Sequence, residues 1–122
     1  MSASFKLDPV AMAKVMSAAA YALEDTGEAV RVDVQQSNTM PFETGELQNR
    51  STFVDTSKAE EVLIVSDTPY ARRLYFHPEY NFNKEHNSNA GGKWFEPYIN
   101  GKKKDYPQKV FAREMKKRMG GI

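Results

Sequence analysis

The densest set of reactive side chains lies between His77 and Pro97, in the run HPEYNFNKEHNSNAGGKWFEP. His77, Glu79, Glu85 and His86 are all metal-ligand types, and a chain without cysteine could hold zinc only through histidine and carboxylates. Their spacing argues against it, because no pair sits at the HExxH separation that puts two ligands on one helix face. Hydrolysis has less support. There is no thiol nucleophile, no GxSxG elbow and no serine beside a candidate base. Gly91-Gly92-Lys93 lacks the upstream glycine and the following Ser/Thr of a phosphate-binding loop, and reads as a flexible turn into Trp94-Phe95. The expectation is a chain that is not an enzyme, with no cofactor, metal or catalytic residue.

Binding chemistry is better represented. Tyr75, Phe76, Tyr80, Phe82, Trp94, Phe95 and Tyr98 are interleaved with Arg72, Arg73, Lys84 and Lys93. Such a set can stack bases and neutralise phosphates. It is equally the composition of a protein–protein interface. Glu79, Glu85 and Glu96 lie among the cations and would oppose a phosphate backbone, which favours the protein partner. Net charge is +1 and unevenly spread: residues 1–100 hold 9 Lys/Arg against 14 Asp/Glu, and residues 101–122 hold 8 against 2. A basic tail on an acidic body can meet nucleic acid or the acidic face of a neighbouring copy. Lys102-Lys103-Lys104 reads as a solvated loop, and the cations of the last helix suit its C-terminus.

At 122 residues the chain reads as one domain, residues 1–122, with 77–93 an extended interaction loop. No apolar run is long enough for a membrane span and the N-terminus lacks a signal-peptide core, so a cytoplasmic protein, or a particle assembled in the cytoplasm, is expected. Asp8-Pro9 marks a helix start. Met12, Val15, Met16, Ala19, Ala22, Leu23, Thr26, Ala29 and Val30 then recur at three- and four-residue steps, which predicts an amphipathic helix to about residue 36. Gly27 is a place for a bend, and Tyr21 lies alone on the polar face. Residues 51–55 and 61–65 read as strands joined by a five-residue loop. Asp67-Thr68-Pro69 starts a short helix in which Tyr70 and Leu74 share a face. Residues 93–99 suggest another, and Val110, Phe111, Met115 and Met119 stripe a last one. The fold expected is α+β: a long N-terminal helix packed on a small antiparallel sheet, with a short middle helix, a long loop and a C-terminal helix.

Two stretches carry a resemblance. PFETGELQNRSTF, residues 41–53, resembles the Thr-Gly-x-Leu-x-x-Ser signature of phage tail-completion and minor capsid proteins, with Ser51 one step late. TPYARRLYF, residues 68–76, followed by PEYNF, HN-NAG and WFE, is similar to minor capsid proteins of long-tailed phages of Gram-positive bacteria. The resemblance spans roughly residues 10–118 in matching order. It implies a structural head–tail joining protein of the virion neck, assembled in the host cytoplasm as a homo-oligomeric ring, six- or twelve-fold. Its partners would be neighbouring connector or stopper proteins and the tail terminator or tail tube. DNA would pass through the channel without being specifically read. The interface residues expected are Thr44, Gly45, Leu47, Tyr70, Arg72, Arg73, Tyr75, Tyr80, Phe82, Trp94 and Phe95, with the loop ordering on docking. The other reading is a cytoplasmic nucleic-acid-binding accessory that uses the aromatic loop and basic last helix.

Overall fold

The structure, a computed structural model, describes residues 1–6, 8–40, 47, 52–68, 70–80, 82, 84, 87 and 89–120. Helix α1 spans Pro9–Gln36, and the Asp8 carboxylate accepts from the Val10 N–H at its free end. Ser37 closes it, its hydroxyl donating to the Val34 carbonyl, and Asn38 then turns the chain at φ 59°. Strands β1 (Thr52–Lys58) and β2 (Glu61–Ser66) form an antiparallel hairpin. Helices α2 (Ala71–Tyr75) and α3 (Glu96–Ile99) are short, and α4 (Tyr106–Arg118) closes the described chain. The result is the expected α+β arrangement. No helix among the described residues is long and apolar enough to cross a membrane.

The hairpin crosses α1 where the side chains of α1 are smallest. A Cβ on Gly27 would meet Val62 Cγ2 at 2.6 Å and Val54 Cγ1 at 3.0 Å. Gly27 therefore marks a close approach of sheet to helix, and α1 runs through it unbroken. The β1 strand runs to Lys58, so Ala59 and Glu60 alone turn the hairpin where five loop residues are expected from sequence. A register irregularity between Asp55 and Lys58 absorbs the polar Thr56-Ser57 pair that looks loop-like in sequence.

Val30, Val34, Met40, Leu47, Ala71 and Trp94 make the buried core, with Ile64, Leu74 and Tyr98 packed against it. Trp94 Nε1 donates to Ser66 Oγ at 3.2 Å, and that oxygen lies 2.9 Å from Thr52 Oγ1, so the core's polar atoms are joined across the hairpin. Helix α4 runs antiparallel to α1: Lys103 just before it pairs with Asp33, and Arg118 at its end pairs with Asp25 and lies over the Tyr21 ring. Tyr21 is thereby engaged within the chain. Of the apolar stripe read on this helix, only Val110 is buried; Phe111, Met115 and Met119 are half-buried.

The stripe on α1 divides. Ala18, Ala22, Thr26, Gly27, Val30 and Val34 are covered, whereas every residue from 9 to 17 is exposed. Met12, Val15 and Met16, read from sequence as buried, face solvent because hairpin and α4 both stop short of them. About 13 Å of α1 therefore extends past the body, at 1.5 Å per residue.

Candidate docking surface

The surface read from sequence between Tyr70 and Phe95 is built on Trp94. The Tyr75 ring meets Trp94 edge to face at 4.9 Å and 89°, and Phe76 and Phe95 surround Tyr75 at 5.0 and 5.9 Å. These rings and Ala71 line an open cleft of about 220 Å³, with Arg72 at its edge and Trp94 and Ser66 also among its walls. Burial, and more weakly the Glu96 charge, push the Tyr75 hydroxyl above its ordinary pKa, so it stays neutral.

Beside the cleft, His77 stacks on Tyr80 at 4.8 Å and 7°, and Arg73 donates from Nε to the Tyr80 hydroxyl at 3.3 Å. His77 Nδ1 lies 2.9 Å from Glu79 Oε1, and that hydrogen bond holds the Glu79 carboxyl below its usual range. Phe82 lies 6.4 Å from Tyr80, ring to ring. Among the described residues no group of three or more ligand-type side chains is gathered; Glu85 and His86 lie outside them.

The residues read as interface separate into three sets. Tyr70, Arg72, Arg73 and Tyr80 are exposed, and Tyr75, Phe82 and Phe95 are half-buried at the rim. Trp94 and Leu47 are inside the core at 2% and 8% exposure, so they support the surface and do not present it. Thr44 and Gly45 lie outside the described residues. Tyr70 is the exposed N-cap of α2, its carbonyl accepting from the Leu74 N–H at 2.9 Å, while Leu74 packs against the core. Helix α3 begins at Glu96, since Lys93 sits at φ 51° and cannot start it.

The loop's far end is tied to the chain. Asn87 Nδ2 donates to the Met40 carbonyl at 2.7 Å, the Asn89 and Gly91 N–H groups donate to the Asn38 and Thr39 carbonyls, and Lys93 N–H donates to Tyr75. A Cβ on Gly92 would meet the Leu74 and Tyr75 carbonyl oxygens at 2.9 Å, so this glycine serves a close approach to the end of α2. The Asn-rich composition flagged as interaction loop is, from Asn87 onward, the seam that closes α1's C-terminal turn.

A second polar centre escapes sequence reading. Asp33 accepts from the Tyr98 hydroxyl at 2.6 Å and from Lys103 Nζ at 2.7 Å, joining α1 to α3 and to the approach to α4. Burial raises the Asp33 carboxyl, but the Lys103 and Tyr98 hydrogen bonds with the Lys103 charge together hold it below the ordinary range. Burial and the bond to Asp33 push Tyr98 strongly upward. The only sequence signal was a lone acid near the end of the amphipathic helix. Comparison with protein-family models, curated proteins and solved structures finds no match to this chain.

Proposed function

We propose that this chain is a structural protein of the virion neck of a long-tailed phage, joining the head to the tail as part of an oligomeric ring, without catalysis. The observation that carries the reading is the rigidly backed Arg–aromatic surface: Arg72, Arg73, Phe76 and Tyr80 are exposed around a cleft whose base, Trp94, is locked in the core. Rigid aromatic anchors beside arginine on a preformed base are the chemistry of protein docking. The ordered motifs from Thr44 to Glu96 point the same way. DNA crosses the ring without being read. A nucleic-acid-binding role is the weaker reading, because the Tyr80 ring that would receive a base is already stacked by His77.

The test is a phage encoding this chain with Arg73→Glu or Phe76→Asp. Both residues are exposed, so the protein should fold as wild type while filled heads and free tails accumulate unjoined. Normal yields of infectious particles from both variants, or absence of the protein from purified virions, would reject the role. A salt-sensitive shift of DNA at sub-micromolar protein, lost in Arg73→Glu, would favour the nucleic-acid reading instead.

A further inference from the structure

Among the described residues, the free end of α1 and the outer side of the hairpin both leave apolar side chains exposed, and the two complement each other. The first is the free end of α1. Met12, Val15, Met16 and Ala19 continue, at three- and four-residue steps, the stripe that Ala22, Thr26, Val30 and Val34 bury, yet Met16 is 67% exposed. Methionine-rich helix faces adapt readily to a partner. Lys6 precedes this end and Lys14 lies on the side of α1 opposite its apolar stripe, against the single acid Asp8 that caps it.

The second face is the outer side of the hairpin. Val54 and Val62 point at Gly27, so their alternating neighbours Phe53, Leu63 and Val65 point away from α1. Phe53 pairs with Val65 and Asp55 with Leu63, which sets these side chains together on one side; Leu63 is 47% exposed. Asp55, Glu60, Glu61 and Asp67 rim that face, against Lys58. A two-stranded sheet covered on one side only is marginal, and a helix laid on its free side completes a sandwich.

We propose that the free end of α1 from one copy docks on the outer face of the hairpin of a second copy, head to tail. Charge selects this occupant. The hairpin's acidic rim would repel the same rim of another copy, whereas the α1 end brings apolar surface, Lys6 beside it and a net positive charge. The two faces differ and lie on one chain, so the contact is heterologous and repeats into a ring or an open filament. This deepens the ring-forming part of the function proposed above and rests on it only for self-association, which is read on purified protein, independently of infectivity.

Sedimentation velocity over a concentration series tests it, using wild type, Met16→Asp and Leu63→Asp. Wild type should grow in mass with concentration, and each variant alone should associate roughly tenfold or more weakly. An equimolar mixture of the two variants should form a 1:1 pair and nothing larger, since it retains one competent helix end and one competent sheet face. Should Leu63→Asp lower the melting temperature, Glu61→Lys and Lys6→Glu replace the pair: each weakens association and their mixture restores it. A wild type that stays monomeric throughout, variants that associate as wild type does, or folded variants whose mixture stays monomeric would each overturn the proposal.

Discussion

The two halves of α1 share one apolar repeat and have opposite surroundings. From Ala18 to Val34 the stripe lies under the hairpin, α4 and the Trp94 core, with the seam of Asn87 to Lys93 closing its C-terminal turn. From Pro9 to Ser17 the same stripe meets solvent. A helical repeat shows which side of a helix is apolar; it does not show whether the covering partner belongs to the same chain. In the covered half the cover shapes the sequence, down to a glycine where the sheet presses closest. In the bare half, residues 9 to 17 are all exposed.

The largest effects should therefore fall in the covered half. Trp94→Ala removes the buried ring under the cleft and the donor to Ser66, and should cost about 3–5 kcal/mol in denaturant unfolding. Gly27→Ala should destabilise by about 1–2 kcal/mol despite alanine's better helix propensity, because stiff Val62 stands 2.6 Å from the new carbon. A melting temperature that rises in Gly27→Ala would show that the hairpin can step back from α1. Asp33→Asn should cost about 1 kcal/mol at neutral pH, since the Lys103 pair is partly exposed. Its pH signature is sharper. The Asp33 carboxyl is held below its ordinary value in the fold, so its contribution is complete above that value and disappears as pH falls through the ordinary value toward the depressed one. Asp33→Asn should accordingly flatten part of the acid loss of stability below about pH 4. Smallest of all, Met16→Ala should change the stability of the dilute protein by no more than about 0.5 kcal/mol, where an equally apolar site in the covered half would cost several times that.

Local signals were legible in the sequence, and surroundings were not. Asp8-Pro9 placed the start of α1, alternation placed β1 and a short β-branched apolar run placed β2, because caps and residue pattern depend on neighbours along the chain. Thr56-Ser57 looked like loop since polar residues are ambiguous on a strand facing water. Trp94 read as an interface anchor, and no local feature separates a ring that supports a surface from one that presents it. The bonds from Asn87, Asn89 and Gly91 to residues 38–40 join positions about 50 residues apart, and composition there suggested only a loop. Arg72, Arg73 and Tyr80 were legible as surface because charge and amphipathic rings rarely leave it.

The division of α1 is tested most directly by hydrogen exchange, residue by residue, first on dilute monomer and then at the concentration where the protein associates. In the monomer, amides from Ala18 to Val34 should exchange through opening of the whole fold. The amides before them should exchange far faster, since an unsupported helix end frays. On association those early amides should gain protection together with the outer strand residues Phe53 and Leu63. Uniform protection of α1 in the dilute monomer, or an α1 end that stays unprotected when copies associate, would contradict the account.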